Sequence, residues 1–321
     1  MDRQGALATL RTAVASFARR YAAADDRWCV ALSGGPDSLA LTAVAAELKP
    51  TTALIVDHRL QPGSQRVAAS ARDQAMTLGC IDAHILCVEV GTSGGPEAAA
   101  RSARYLALDE ARAGVPVLLG HTLDDQAETV LLGLGRGSGA RSIAGMRPHD
   151  PPWYRPLLDV RRTLTHQACD ELGLQPWHDP HNTDRRYTRV RLRTEVLPLL
   201  EDVLGGGVAE ALARTATALR EDTDTLDELA QSTLGGAGGE GLATAQLAVL
   251  PDAIRRRVIR GWLLAGGATN LTDKQIRAVD TLITDWRGRG GVAVGSPLRN
   301  MRLFAGRRDG LLTLYREPVE S

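Results

Sequence analysis

The chain has 321 residues, 38 Lys or Arg against 38 Asp or Glu, and a hydrophobic share of 44%. That length accommodates two compact domains, and the apolar share excludes wholesale disorder. No run of about 18 apolar residues lacks a charge or a turn residue, so a membrane-spanning helix is not expected. The N-terminal MDRQGALATLRTAVASFARR lacks the apolar core and small-residue cleavage site of a secretory signal, so a cytoplasmic protein with no membrane partner is expected. Cysteines at 29, 80, 87 and 169 form no Cys-x-x-Cys pair, which argues against a zinc or iron–sulfur site and for buried small hydrophobes. Zero net charge speaks, at first sight, against a nucleic-acid partner.

From residue 28 short β-branched runs alternate with helical stretches. WCVAL precedes a Gly turn and SLALTAVAAEL; TTALIVD precedes a helix ending near Leu78; HILCVEV precedes AAARSARYLALDEARA; and VPVLLG precedes LDDQAETVLLGLGR. Four such units predict an α/β fold with a parallel, doubly wound sheet, whose ligands sit outside the carboxyl ends of the strands. After Gly137 the rhythm breaks into the Pro- and Arg-rich RPHDPPWYRPLLDVRR, a helix near 162–172, the loop WHDPHNTD and an Arg-laden helix from about Tyr187. A long polar helix follows from Val208 to about Gln231, then the linker-like LGGAGGEG at 234–241. Beyond it come two or three helices and a tail that alternates like a small antiparallel sheet around an Arg-Arg-Asp-Gly turn. The expected division is 1–207 (with 137–207 as an extension), a connecting helix 208–234, and a small α+β domain 235–321.

Ser33-Gly34-Gly35-Pro36-Asp37-Ser38 follows the first strand and opens the first helix of that sheet. Glycines there let backbone N–H groups approach an anion, and the helix N-terminus adds a favourable dipole. The hydroxyls of Ser33 and Ser38 can donate to phosphate, Pro36 suits the first helical turn, and Asp37 offers a carboxylate to a magnesium ion bridging phosphates. Neither the Walker A spacing nor a Gly-x-Gly-x-x-Gly fingerprint is present. A plain Gly-Gly-Pro turn capped by Asp is the competing reading. The near-copy Ser93-Gly94-Gly95-Pro96 lacks the Asp-Ser pair and reads as such a turn.

The second strand ends in Asp57-His58, at the crevice where they could position a nucleotide; an ordinary polar turn fits equally well. Arg101, Arg104 and Tyr105 share a helix face that suits a polyphosphate or an RNA backbone, although a solvated face is the plainer reading. The fourth strand runs into His121, Asp124, Asp125 and Glu128, with Asp125 and Glu128 on one helix face. Capping explains acidic residues in a first turn. A His followed by three carboxylates at the ligand edge further asks for a cation among them, because like charges this close raise one another's pKa. Magnesium or a substrate ammonium would serve.

The loop SGGPDS resembles that of the N-type ATP pyrophosphatases, the PP-loop superfamily. Within it, VDHRLQPGS, ARSARY, GHTLDDQAETVLLGLGRGSG, RPLLDVRR and HDPHNTDRRYTRVRLRTEVLPLL, in this order over residues 30–200, resemble the tRNA(Ile)-lysidine synthase family. The resemblance implies a PP-loop catalytic domain that adenylates the C2 oxygen of the wobble cytidine of a CAU-anticodon isoleucine tRNA. The ε-amine of free L-lysine then expels AMP. It implies ATP as substrate with Mg2+, ATP contacts from Ser33 to Ser38 with Asp57 and His58, and Asp37 as metal ligand. It further assigns Asp125, Glu128 and His121 to the lysine amine, and Arg101, Arg104, Arg189 and Arg193 to phosphate or tRNA contacts. Val190 stands where the family pattern usually has Asn. The oligomeric state is left open, a homodimer among the options.

Two other functions compete: a PP-loop tRNA thiolase, disfavoured by the missing Cys-x-x-Cys pairs, and a nucleotide-sensing RNA binder without turnover, disfavoured by intact Asp37, Asp125 and Glu128. The objection from net charge weakens locally. Five arginines lie between 185 and 193, and residues 286–316 carry seven arginines against Asp309 alone. With Arg255-Arg256-Arg257, these stripes are the expected tRNA-facing surface of the C-terminal region.

Overall fold

In the first strand alternate side chains enter two different cores, which is the signature of a sheet covered on both faces. In a computed structural model of the chain, which describes residues 5–59, 63–91, 95–137, 139–235, 241–288, 290–298 and 300–319, strand β1 (Trp28–Ala31) sends Val30 into one apolar cluster and Cys29 and Ala31 into another. Such burial on both sides is what a parallel sheet needs. Its neighbours are β2 (Thr51–Asp57), β3 (Asp82–Cys87), β4 (Val117–Leu118), β5 (His149–Asp150) and β6 (Trp153–Tyr154), in the order β3-β2-β1-β4-β6-β5. All pairings are parallel except the β5–β6 edge hairpin. The two short strands of that hairpin extend the sheet beyond the four expected strand-helix units.

Helices α1 (Ala6–Tyr21), α2 (Pro36–Leu48), α3 (Ser64–Thr77) and α7 (Arg162–Glu171) contribute to the first cluster, around Leu10, Leu39, Leu41 and the buried ring of Trp28. Helix α4 (Pro96–Ala111) supplies Leu108 and Tyr105 to the second. A third cluster joins α5 (Leu123–Gly135) to α9 (Leu197–Leu204) and the start of α10 (Val208–Gly235) through Leu123, Ala127, Leu197, Ala209 and Ala213. Glu201 accepts the backbone N–H groups of Val208 and Ala209, so α9 caps α10. Between α7 and α9 lie the short α8 (Thr188–Arg191) and a π-helical turn, Leu192–Val196. The short helix α6 (Ala140–Ile143) comes earlier in the chain, after α5.

The chain divides into two compact units, Met1–Gly135 with Gly145–Ala216, and Arg136–Ala144 with Thr217–Ser321. The division falls inside α10, since its apolar side chains serve both: Ala209 and Ala213 belong to the third cluster and Ala230 to the core of the second unit. That second unit has α11 (Thr244–Ala248), α12 (Asp252–Ala265) and α13 (Asp273–Thr284) against a sheet of order β7-β10-β9-β8. Its strands are β7 (Gly241–Ala243), β8 (Val292–Val294), β9 (Met301–Arg308) and β10 (Leu311–Pro318), all antiparallel. The β9–β10 turn has positive φ at both Asp309 (49°) and Gly310 (76°), the primed turn that matches strand twist. The three-residue edge strand β7, which starts at the last residue of the expected linker, has no counterpart in the sequence analysis.

Cys29, Cys80 and Cys169 are buried, while Cys87 is exposed because it ends the edge strand β3. No helix among the described residues is long and apolar enough to cross a membrane. Leu60 to Pro62, the turn at 92–94, most of the 234–241 linker, Arg289 and Arg299 lie outside the described residues.

Candidate active site

The chain leaves β1 for β2 on one side and later adds β4 on the other, so the sheet has its switch point between β1 and β4, where open α/β sheets bind ligands. Both sequence motifs of interest start there. After β1, Gly34 takes φ of +82°, open to glycine at no steric cost, and its carbonyl accepts the Trp177 N–H at 2.9 Å. Ser38 Oγ accepts the Ser33 N–H at 3.2 Å and donates to the Gly35 carbonyl at 3.0 Å, closing the loop on itself. Pro36 sits in the first turn of α2 as expected.

Gly120, after β4, brings the second motif against the first. A Cβ there would lie 3.1 Å from the backbone carbonyl of Asp37 and 3.2 Å from Ser38 Cα, closer than side chains ordinarily tolerate. Thr122 and Asp125 then form a reciprocal cap on α5: Asp125 Oδ2 accepts the Thr122 N–H at 2.8 Å and its hydroxyl at 2.9 Å. Asp124 turns the other way, accepting the Arg162 backbone N–H at 2.7 Å and pairing with Arg161 at 3.2 Å. Capping of α5 thus holds for Asp125, through one oxygen, and not for Asp124, which instead takes up the first N–H of α7.

The cation that the carboxylates call for is the Arg162 side chain. Its Nη2 bonds Asp125 Oδ1, its Nη1 lies 3.4 Å from Glu128 Oε1 and its Nε 3.4 Å from Asp37 Oδ2. One guanidinium therefore touches a carboxylate from the loop after β1 and two from the helix after β4. Asp37 Oδ1 also accepts the Thr165 hydroxyl. Burial pushes the Asp37 carboxyl up, partly opposed by Arg162. Burial pushes Asp125 up as well, but Arg162 and the Thr122 N–H outweigh it and hold it below the usual carboxylate range.

Glu128 is fully buried and accepts Arg193 Nε at 2.8 Å, with Arg189 3.9 Å away. Arg189 and Arg193, expected on a tRNA-facing helix side, do share a side, and in the structure that side turns toward Glu128. The π-helical turn that contains Arg193 is the kind of local insertion found at functional sites. His121 is held as a neutral imidazole: burial pulls its pKa down to about 3, with Asp125 opposing and Arg155, Arg104 and Arg101 adding to the fall. Its Nδ1 is buried without a partner.

Beside this cluster opens a cavity of about 860 Å³, within the roughly 300–1,000 Å³ typical of small-ligand sites. Leu32, Leu54, Val56 and Val67 form an apolar wall; Ser33, Asp57, His58, Arg104, Arg189 and Arg193 supply polar groups. Asp57 Oδ1 accepts the Arg59 N–H at 2.9 Å, whereas Asp57 Oδ2 and His58 Nδ1 are buried without partners, as groups awaiting a ligand would be. Burial, then Arg104, lowers the His58 pKa. Arg104 itself is disfavoured as a cation by burial, which an anionic ligand would relieve. Arg101 instead lies exposed, its guanidinium 4.9 Å from the Tyr105 ring, while that ring packs edge-on against Trp153. The helix face thus divides between the cavity and solvent.

Among the described residues no three His, Cys, Asp or Glu side chains are grouped to hold a metal ion. Asp37, the carboxylate beside the loop, has Oδ1 engaged by the Thr165 hydroxyl and Oδ2 approached by Arg162 at 3.4 Å, a long contact that a cation could replace.

A PP-loop domain model matches residues 8–200, and a TilS substrate binding domain model matches residues 242–307. The tRNA(Ile)-lysidine synthases of Mycobacterium tuberculosis and Mycobacterium bovis are each 74% identical to the chain over 324 residues, covering 99% of it and all of their own length; that of Mycobacterium leprae is 69% identical with the same coverage. The chain belongs to the tRNA(Ile)-lysidine synthase family. Among solved structures, a U34-tRNA thiolase from Methanococcus maripaludis with its 4Fe-4S cluster superposes with a TM-score of 0.54 at 17% identity, over 66% of this chain and 79% of that one. That likeness concerns the fold.

Arg161 and Arg162 are the arginines that the structure brings to the acidic cluster and that the sequence leaves unassigned, although RPLLDVRR is singled out. Arg161 pairs with Asp124 and, at 2.9 Å, with Glu210 at the start of α10. In the second unit Arg255, Arg256 and Arg257, expected to face tRNA, are committed to Asp252, Asp280 and Asp227. Arg302, Arg308 and Arg316 on the β9–β10 hairpin are exposed.

Proposed function

We propose that the protein joins free L-lysine to C2 of the wobble cytidine of a CAU-anticodon isoleucine tRNA, with ATP adenylating the C2 oxygen first. One observation carries the reading: a glycine-rich loop and an acidic cluster meet at the sheet's switch point, where Gly120 packs so closely on the Asp37 backbone that a Cβ would come within 3.1 Å of it, and Arg162 bridges the two. ATP occupies the cavity, its base against Leu54 and Val56, its phosphates against the Ser33–Ser38 loop and Arg104. Asp37 holds magnesium, which when bound offsets the charge of the departing pyrophosphate.

The target cytidine enters from the side of Arg189 and Arg193. The ε-ammonium of lysine is held by Asp125 and Glu128. Its proton passes to the carboxylate that holds it, since Asp125 and Glu128 are the groups placed to contact the amine. The free amine attacks C2, the C2–O bond to AMP breaks, and AMP leaves with the electron pair. Exposed arginines of the second unit bind tRNA phosphates.

Incubation with ATP, labelled lysine and the CAU-anticodon tRNA should place label in the tRNA and release AMP. Sulfur incorporation, ADP, or tRNA binding without product would overturn the reading. tRNA affinity should also fall steeply with salt, with a logarithmic slope of about −0.7 to −0.9 per neutralised phosphate; a flat profile would remove the arginine stripes from the interface.

A further inference from the structure

Arg161 and Arg162 each have three acidic partners, but those of Arg161 are Asp124, Glu201 and Glu210, whereas those of Arg162 are Asp37, Asp125 and Glu128, the carboxylates of the two motifs. Each of the three guanidinium nitrogens of Arg162 meets a different carboxylate, and two of the three contacts are long, at 3.4 Å. Its backbone N–H is fixed on Asp124, so the main chain is anchored while the side chain is spread over Asp37, Asp125 and Glu128. The side chain retains 14% exposure, and it stands where a cationic substrate would have to stand. Glu128 has a second strong partner in Arg193, whereas Asp125 Oδ1 has Arg162 and only a 3.6 Å approach from Arg193. Removal of Arg162 therefore exposes Asp125 most.

We propose that Arg162 is a resident stand-in for the lysine ammonium: it holds the carboxylates of the amine subsite in place until lysine displaces it, and so sets the affinity and the cation selectivity of that subsite. The inference rests on the assignment of Asp125 and Glu128 to the lysine amine made above. It makes Arg162 a positioning residue that works against its own substrate. The carboxylates stay ionised and oriented while the subsite is empty, and the amine must exchange for a guanidinium rather than enter a bare anionic hole.

The sign of the expected effect separates this role from a structural one. Arg162→Gln keeps a hydrogen-bonding side chain but removes the charge. The dissociation constant for L-lysine, measured by calorimetry on the full chain, should fall by about tenfold, the equivalent of about 1.4 kcal/mol of competition removed. The rate constant for lysidine formation should fall at the same time. Guanidinium ion, at concentrations that leave the protein folded, should weaken lysine binding to the variant and not to the unsubstituted protein. Arg162→Lys, which restores the charge, should return lysine affinity toward the original value and serves as the folded comparison if the Gln variant is unstable.

Lysine binding that is unchanged or weaker in folded Arg162→Gln, or tighter in Arg162→Lys than in Arg162→Gln, overturns the proposal. Asp125→Asn separates the two levels of inference. If it leaves lysine binding intact, the location of the amine subsite is wrong. If it weakens binding while Arg162→Gln fails to tighten it, the subsite stands and only the stand-in role falls.

Discussion

Both units bury an arginine among aspartates, and they do so to different ends. In the second unit Arg255 and Asp280 are 5% and 6% exposed. Every guanidinium nitrogen of Arg255 is used: Nε on Asp280 at 2.6 Å, Nη1 on the Leu250 carbonyl at 2.9 Å, Nη2 on Asp252 at 2.8 Å. Arg256 completes the shell of Asp280 at 2.9 Å. In the first unit Arg162 is shared among three carboxylates, two of them at 3.4 Å, beside a cavity with unpartnered buried groups. A saturated pair has nothing left to bind and serves the fold. An over-subscribed one has partners to give up, and marks a site.

The sharpest way to break this contrast is Asp280→Ala. It leaves Arg255 buried without its main counter-charge, and the second unit should lose about 3–5 kcal/mol in denaturant unfolding. Replacing both partners, Arg255→Met with Asp280→Leu, should recover most of that loss. If the single change costs nothing, the pair is not what holds that unit's helices together.

Asp37→Ala should give the opposite pattern. Because burial raises the Asp37 pKa, its charge is disfavoured by the fold, and thermal unfolding should stay unchanged or shift upward. Pyrophosphate release in the presence of tRNA should fall by a factor on the order of 10²–10³, as for other groups that stabilise developing charge, while tRNA binding persists. Retained turnover would place the phosphate-side carboxylate elsewhere.

The sequence discloses these two regions unequally. Strands β1, β2 and β4 are legible because β-branched runs end in polar turns, and SGGPDS and GHTLDD are legible because each is a contiguous block. Asp125 and Glu128 are found on one face by helical spacing alone. Arg162 is not assigned, because its contact with Asp37 spans 125 positions and no local periodicity encodes it. For Arg189 and Arg193 the i, i+4 spacing fixes a common side and says nothing about which way that side faces; Glu128, sixty-five residues before Arg193, decides it. Arg255 to Arg257 read as a basic stripe until their aspartates, three to thirty residues away, are seen to take up the charge. Strand β4 is also only two residues long but lies in the apolar run VPVLLG, whereas β5 and β6 lie in the Pro-rich HDPPWY, which has no β-branched residue to mark a strand.

Gly120→Ala tests whether the two motifs must touch. The added Cβ, 3.1 Å from the Asp37 backbone, forces a shift of a few tenths of an ångström between loop and acidic cluster. Overpacking of this kind costs about 1–3 kcal/mol of stability. Misplacement of reacting groups should lower turnover by about tenfold, with tRNA affinity unaffected. An active, fully stable variant would mean that the close approach is incidental.

The effect that vanishes at neutral pH, and that reaches the site without touching a ligand, is the response to acid. His121 titrates near 6.5 in the unfolded chain and at about 3 in the folded one, because burial excludes the imidazolium. Between those values the unfolded chain binds the extra proton, so stability is full above about pH 6.5 and declines as the pH is lowered toward 3. Asp125, whose folded pKa is depressed, adds its own loss only when the pH falls below the normal carboxylate range, through its folded value. His121→Gln removes the first titration and keeps a neutral polar side chain, so the variant's stability should be flatter from pH 6.5 to 4, and the two proteins should differ most at the acid end. An equal acid slope in both would show that the imidazole is solvated in the folded protein, and would reopen its candidacy as the base that the carboxylates now fill.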